Sequence, residues 1–253
     1  MKTILLSRNM VYTGDLILVN RDHPHREESS YKALISVDAT NKNVLLERRV
    51  ASLYNKLMLN LNARSRITAV SGWRSRREQE QIYSESLSEN GADFTAKYVA
   101  LPGHSEHQTG LAVDLALNQP NIDFIRPYFP YTGICGAFRE MAGRYGFIER
   151  YPKGKENITG IAYEPWHFRY VGVPHAMIMK QMGYTLEEYH ARIRQYLYGR
   201  RSLQYDFGNF HIEVSYLPAD KETVTFNIAV DTPYTISGNN MDGFVVTVWR
   251  TKR

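Results

Sequence analysis

The chain has 253 residues, of which 43% are hydrophobic, with one cysteine and a formal net charge of +5. This length and apolar content exclude fibrous and disordered classes, and they allow one large domain or a domain with a smaller appendage. The positive surplus lies entirely within residues 1–198 and lacks the interleaved aromatic and basic residues of a nucleic-acid-binding surface, so we expect no nucleic-acid partner.

The hydrophobic pattern changes several times in the first half of the chain. In chain order it predicts short strands within 3–19, a loop over 23–30, an amphipathic helix over 41–62 and a strand over 67–70. Ser75 and Glu78 form a capping-box pattern, so we expect a helix that begins there and ends near Gly91. Arg74 would then lie at a strand-to-helix junction, where a side chain can project into a cleft.

The second half of the chain begins with mixed elements and ends in strands. The pattern predicts strands over 111–116, 147–150 and 166–171, and helices over 136–145, from 174, and from 185 to about 198. Beyond 199, apolar and polar residues alternate in 210–216, 223–228 and 244–249, which is typical of antiparallel strands. We therefore predict a domain over 1–198 and a small antiparallel β appendage over 199–253.

Two of the eight histidines have the surroundings of metal ligands. Because Cys135 is the lone cysteine, a zinc site with several thiolates is excluded, and any zinc must be bound by imidazole and carboxylate groups. Asp114 is a charge within the apolar segment 111–116 and needs a partner. His107, Asp114 and His167 together make the set of two imidazoles and one carboxylate that leaves a position open for water. We predict that they bind one catalytic Zn²⁺.

Two further residues have side chains suited to amide hydrolysis. Glu164 lies three positions before His167, and Pro165 disfavours a helix there, so we expect Glu164 at an irregular entry into a strand, above the metal. It would take the proton from the attacking water and pass it to the leaving amine. Arg74 would face the negative charge that develops on the carbonyl oxygen.

Three stretches of sequence carry a resemblance to a known family. They are SGWRSRREQ at 71–79, SEHQTGLAVD at 105–114 and EPWHFRYVG at 164–172. In this order they resemble the zinc D-Ala-D-Ala carboxypeptidase and dipeptidase family of the VanY/VanXY type, with similarity over about 65–195. The resemblance implies an α+β fold, a compact zinc peptidase domain with helices packed on a small antiparallel sheet.

The resemblance also implies roles for individual residues. It implies the metal ligands and the roles of Glu164 and Arg74 already predicted, and it adds Ser105 and Gln79 as residues that bind the substrate. The implied enzyme is a cytoplasmic zinc D,D-peptidase of the VanXY kind. Such an enzyme removes the terminal D-Ala from D-Ala-D-Ala and from the peptidoglycan pentapeptide precursor, and it underlies resistance to vancomycin-type glycopeptides.

Two alternative functions remain open from the sequence. One is a secreted or phage-type peptidoglycan endopeptidase with the same zinc site. The other is a non-catalytic module that binds zinc or the cell wall, although such a module would have no need of a base at Glu164. No segment is apolar enough to predict a membrane span, and the 199–253 appendage is expected either to mediate self-association or to be a passive extension.

Overall fold

The computed structural model describes residues 1–26, 34–37 and 42–252. These residues form two compact units. One unit consists of Val19–Thr185, and the other combines both ends of the chain, Met1–Leu18 and Leu186–Arg253. All the predicted site residues belong to the Val19–Thr185 unit. Among the described residues, no helix is both long enough and apolar enough to span a membrane.

Helices and strands are mixed in the middle of the chain, and strands predominate towards its C-terminal end. The described strands are β1 Lys2–Ser7, β2 Leu34–Ser36, β3 Leu45–Glu47, β4 Ile67–Ser71, β5 Ala112–Leu117, β6 Phe147–Tyr151, β7 Glu164–Tyr170, β8 Leu203–Phe207, β9 Phe210–Pro218, β10 Thr223–Ile228, β11 Tyr234–Gly238 and β12 Gly243–Thr251. The described α-helices are α1 Arg48–Asn60, α2 Arg76–Asn90, α3 Ala92–Tyr98, α4 Gly133–Ala142, α5 Glu156–Thr159, α6 His175–Met182 and α7 Leu186–Ile193. Short 3-10 helices lie at Arg8–Tyr12, Glu106–Thr109 and Gly143–Tyr145.

The Val19–Thr185 unit is built on an antiparallel sheet with the strand order β4-β5-β7-β6. Along β5 and β7, apolar side chains such as Val113, Leu115 and Phe168 enter a core that also contains residues of α1 and α4. Successive side chains of a strand point to opposite faces, so Asp114 and His167 lie on the other face. The predicted α+β class with a small antiparallel sheet is confirmed.

The predicted helix over 41–62 is shorter in the structure. Residues 45–47 form β3, which pairs with β2, and α1 begins only at Arg48. Val44 and Leu46 are buried in the same core as the helix, and Leu45 between them is less buried. This alternation is that of a strand. The prediction for residue 41 lies outside the described residues.

The start of the following helix agrees with its prediction. The Ser75 side chain accepts a hydrogen bond from the Glu78 backbone nitrogen (3.1 Å), and the Glu78 carboxylate accepts one from the Ser75 backbone nitrogen (2.7 Å). Together they form the capping box, and α2 ends at Asn90, followed by Gly91 at a positive φ of 80°. Arg74 is thus the residue immediately before the N-cap.

The unit formed by the two chain ends contains a sheet with the order β11-β12-β9-β8 and the antiparallel pair β1–β10. The three strands predicted beyond 199 are present as β9, β10 and β12. Of these, β9 and β12 share a sheet with β8 and β11, whereas β10 pairs with β1. Because β1 pairs with β10, the N-terminal strand groups with the C-terminal strands, and the compact units differ from the predicted division at 198/199.

Two predicted elements of the unit formed by the chain ends differ in detail from the structure. The short strands expected within 3–19 reduce to β1, because Arg8–Tyr12 forms a 3-10 helix. The helix predicted from 185 to about 198 ends at Ile193. The loop predicted over 23–30 is described only as far as residue 26.

Candidate active site and metal centre

His107 enters the site from a tight turn. It lies in the 3-10 helix Glu106–Thr109, which ends at Gly110 in a left-handed conformation (φ 72°). A side chain at Gly110 would be strained by this backbone conformation and would crowd Leu34 and the Glu47 backbone. The Nδ1 atom of His107 lies 2.6 Å from the carbonyl oxygen of Gly72, so this nitrogen carries the proton and Nε2 is left with a lone pair.

Asp114 and His167 face each other across two neighbouring strands. They are direct partners in the β5–β7 register, and Asp114 Oδ1 lies 2.9 Å from His167 Nδ1. Asp114 Oδ2 lies 3.1 Å from His107 Nε2. The three side chains are buried, and their ligand atoms lie within 4.8 Å of one another. The structure therefore brings together the three residues that were predicted as metal ligands.

The chemistry of these donors fits a bound cation. Asp114 Oδ1 is buried and has no hydrogen-bond partner among the described residues, although it lies 2.9 Å from a ring nitrogen. Burial lowers the pKa of His167, but its contacts with Asp114 and Glu106 outweigh burial and raise this pKa to about 9. The site thus favours a positive charge at the point where the three side chains meet. A metal ion can supply that charge in place of a proton.

Asp114 and His107 respond differently to the same surroundings. Burial acts to raise the pKa of Asp114, but its contacts with His107 and His167 hold this pKa well below its usual range. Burial and the charge of Arg74 lower the pKa of His107. Asp114 as a carboxylate and His107 as a neutral imidazole are the protonation states in which these side chains bind metal.

Glu164 lies beside the metal set, at the entry to a strand. It is the first residue of β7, and the pairing of β7 with β6 is irregular there, in agreement with the predicted irregular entry. Three positions apart on a strand, Glu164 and His167 would point to opposite faces. However, the β6–β7 register shifts between Glu149 and Tyr151, and Glu164 Oε2 lies 3.9 Å from His167 Nδ1. Burial raises the pKa of Glu164 to about 8.

Arg74 projects from the junction between β4 and α2, as predicted. Its guanidinium donates two hydrogen bonds to Ser71 Oγ (3.1 and 2.8 Å) and lies 3.4 Å from Asp114 Oδ2. Ser71 is itself opposite Asp114 in the β4–β5 register. The sheet therefore holds the arginine at the edge of the metal set.

Ser105 and Gln79 are both buried and line the same cavity as Arg74 and the metal set. This cavity has a volume of about 270 Å³. Gln79 donates a hydrogen bond to the carbonyl oxygen of Ala100 (2.9 Å), and its amide oxygen accepts one from Arg74 (3.5 Å). Its contacts in the structure thus connect Arg74 to Ala100 beside the cavity.

The sequence analysis missed Glu106, the residue before His107. Its carboxylate is completely buried and lies 3.5 Å from His167 Nε2, on the side of the ring that faces away from Asp114. It also pairs with Arg150 (2.8 Å) and Arg169 (2.9 Å), whose side chains are fully buried. A signal was available in the sequence. Arg150 and Arg169 lie within predicted strands, and an arginine buried there needs an acidic partner.

A family comparison agrees with this geometry. The model of the VanY family, described as D-alanyl-D-alanine carboxypeptidase, matches residues 43–173, just over half of the chain. The chain belongs to the VanY family. The match covers every predicted site residue.

Individual VanY-family proteins are similar over most of their length. The bifunctional D-Ala-D-Ala dipeptidase and D-Ala-D-Ala carboxypeptidase VanXYC of Enterococcus gallinarum is 41% identical over 181 residues, which are 71% of this chain and 95% of that protein. The crystal structure of the vancomycin resistance D,D-dipeptidase VanXYg, in complex with a D-Ala-D-Ala phosphinate analogue, matches with a TM-score of 0.95 and 50% identity, covering 98% of this chain and 99% of that one.

A third member of the VanY family was solved with its metal. This is a mutant of a vancomycin resistance D,D-pentapeptidase VanY in complex with Zn(II), with a TM-score of 0.54 and 30% identity. The match covers 70% of this chain and 98% of that one.

Proposed function

We propose that this protein is a zinc-dependent D,D-peptidase, both a D,D-dipeptidase and a D,D-carboxypeptidase. Its substrates are D-Ala-D-Ala and the peptidoglycan pentapeptide precursor, from which it removes the terminal D-Ala. The observation that carries the proposal is the convergence of His107 Nε2, His167 Nδ1 and the Asp114 carboxylate on one point of a cavity. Glu164 and Arg74 border the same cavity.

The similarity to bifunctional VanXYC and to VanXYg supports both activities and a contribution to resistance against vancomycin-type glycopeptides. The zinc-bound VanY structure supports the choice of metal. Action in the cytoplasm is part of the proposal, because the resemblance to enzymes of the VanXY kind implies it. Cell fractionation tests this part, and recovery of the protein outside the cytoplasm would contradict it.

In the proposed reaction His107, Asp114 and His167 hold one zinc ion. Zinc in such a site acts as a Lewis acid and makes water a better nucleophile near neutral pH. Glu164, 3.9 Å from His167 Nδ1, takes a proton from the attacking water and passes it to the leaving amine. Arg74 stabilises the negative charge on the carbonyl oxygen, and Ser105 and Gln79 bind the substrate beside it.

The deciding experiment compares the hydrolysis of free D-Ala-D-Ala, the nucleotide-linked pentapeptide and D-Ala-D-Ser, with and without a chelator. We expect release of D-Ala from the first two substrates, loss of activity with the chelator and recovery when zinc is added back. The D-Ala-D-Ser arm measures discrimination between the two dipeptides. If D-Ala is released from neither of the first two substrates, the proposal is wrong.

For the β-rich C-terminal segment we propose self-association. Strand β8 lies at one end of the sheet β11-β12-β9-β8, and the outer edge of an end strand has backbone groups with which a strand of another chain can pair. Sedimentation velocity across a range of concentrations tests this proposal, and a monomer throughout would contradict it.

A further inference from the structure

The outer nitrogen of each candidate histidine ligand faces a different kind of group. In His107 this nitrogen is Nδ1, which lies 2.6 Å from a backbone carbonyl oxygen. In His167 it is Nε2, which lies 3.5 Å from the Glu106 carboxylate. The orientation of His167 therefore depends on a side chain, which a substitution can remove.

The two facing atoms are both unsatisfied. Glu106 Oε2 and His167 Nε2 are buried, and neither has a hydrogen-bond partner within the described parts of the chain. Buried polar groups in folded proteins are almost always hydrogen-bonded. A hydrogen bond between these two atoms would satisfy both of them, and only a small movement is required to shorten their separation of 3.5 Å.

The direction of that hydrogen bond follows from the other side of the carboxylate. Glu106 Oε1 accepts hydrogen bonds from Arg150 Nε (2.8 Å) and Arg169 NH1 (2.9 Å). A carboxylate that is paired with guanidinium groups acts as an acceptor only. His167 must then donate from Nε2, which leaves the lone pair on Nδ1, the nitrogen that lies nearest Asp114 and Glu164.

We propose that Glu106 is a positioning residue of the metal centre. It accepts the Nε2–H of His167 and so fixes both the ring orientation and the tautomer that present Nδ1 to the zinc. Arg150 and Arg169 hold the carboxylate in place for this contact. The inference rests on the proposed zinc site, but its test measures metal binding and ring chemistry independently of hydrolysis.

The test is the isosteric substitution Glu106→Gln. A glutamine must turn its NH₂ group either towards the guanidinium groups or towards His167 Nε2–H, and in both orientations a donor faces a donor. Loss of such an outer partner weakens metal binding by about 10–100-fold, and we expect a loss in this range when zinc affinity is measured by competition with a chromogenic chelator.

The matched control is Glu149→Gln. This substitution also removes a carboxylate that accepts a hydrogen bond from an arginine, Arg139 Nε at 2.8 Å, but the described partners of Glu149 are Arg139 and Tyr131, not either of the two histidines. We expect its zinc affinity to stay within about twofold of the wild-type value, as for a substitution that touches no ligand. Thermal melting of both variants reports how far each one destabilises the fold.

A second measurement uses the unaltered protein. In the zinc-loaded enzyme the Nε2–H proton of His167 should resonate downfield and exchange slowly with solvent, and in Glu106→Gln it should move upfield. If the wild-type signal lies at the position of a free imidazole, or if Glu106→Gln lowers the melting temperature but binds zinc as tightly as the wild type, Glu106 only balances the charge of the arginines and the inference is wrong.

Failure of this inference can be told apart from failure of the proposed function. A wild-type enzyme that hydrolyses D-Ala-D-Ala, with a Glu106→Gln variant of unchanged zinc affinity, contradicts the inference alone. A wild-type enzyme that binds zinc but hydrolyses nothing contradicts the proposed function, and weaker zinc binding by Glu106→Gln would then still support the role of Glu106.

Discussion

His107 and His167 offer different ring nitrogens to the same point, and the reason lies in the group behind each ring. A carbonyl oxygen holds Nδ1 of His107, while a carboxylate lies behind Nε2 of His167. Glu164 lies beside the same nitrogen of His167 that faces Asp114. In the proposed mechanism the two rings and Asp114 hold the metal, and Glu164 moves a proton.

That division of roles predicts the effect of Glu164→Ala. Since Glu164 is not one of the three converging ligands, the variant should keep stoichiometric zinc. Loss of the general base should lower kcat by about 10²–10⁴-fold. Metal analysis and the rate of D-Ala release measure the two quantities on one preparation.

The control for this prediction is Glu140→Ala, which removes an exposed glutamate paired with Lys180 on the protein surface. Its activity should match the wild type. Retention of activity by Glu164→Ala would remove Glu164 from the mechanism, and loss of zinc by this variant would make it part of the metal site instead.

The junction between β4 and α2 shows how an element delivers a side chain to the site. The capping box of Ser75 and Glu78 fixes the first turn of α2 directly after Arg74. Ser71 holds the opposite side of the junction. It accepts a hydrogen bond from the Arg74 guanidinium and lies opposite Asp114 in the β4–β5 register. A local helix signal and a long-range strand pairing thus act on the same arginine.

The cap contribution can be measured with Ser75→Ala. Removal of the side-chain acceptor leaves a backbone N–H of the first turn without its partner, which costs about 1 kcal/mol of unfolding free energy. The control is Ser88→Ala in the exposed last turns of α2, where we expect no loss of stability because alanine has the higher helix propensity. Urea denaturation of the two variants checks both expectations, and equal stabilities would contradict a role for the cap.

Across the whole chain, the two ends meet in one compact unit. Strand β1 pairs with β10 along its entire length, from Lys2 opposite Ile228 to Ser7 opposite Thr223. Leu6 joins a core with Val224 and Phe226. The first residues of the chain are therefore part of the C-terminal fold, although more than 200 positions separate the paired residues.

This arrangement predicts a sharp difference between neighbouring leucines. Leu6 is 2% exposed and Leu5 is 67% exposed. Leu6→Ala should lower the unfolding free energy by about 2–5 kcal/mol, whereas Leu5→Ala should change it by no more than about 0.5 kcal/mol. Thermal and urea unfolding of the pair measure this, and similar losses for both would contradict the packing of β1 against the C-terminal strands.

Local signals in the sequence predicted much of the secondary structure and the chemistry of the site. The capping box at Ser75, the strand around Asp114 and the β-rich C-terminal segment all depend on residues that are close in the chain. The metal set followed from residue types, since one cysteine excluded thiolates and a carboxylate in an apolar strand required a partner. A short strand before a helix was missed at β3, because an apolar run of three residues is too short to show a period different from that of the helix that follows.

Partners that are far apart in sequence could not be predicted in the same way. The pairing of Asp114 with His167, the register shift that brings Glu164 towards His167, and the burial of Glu106 between Arg150 and Arg169 all depend on how the strands align. The pairing of β1 with β10 has the same origin. Residue types and short-range periodicity therefore specified which groups the site needs. Which atoms meet depends on strand register and long-range packing, because a shift of one residue turns every side chain of a strand to its other face.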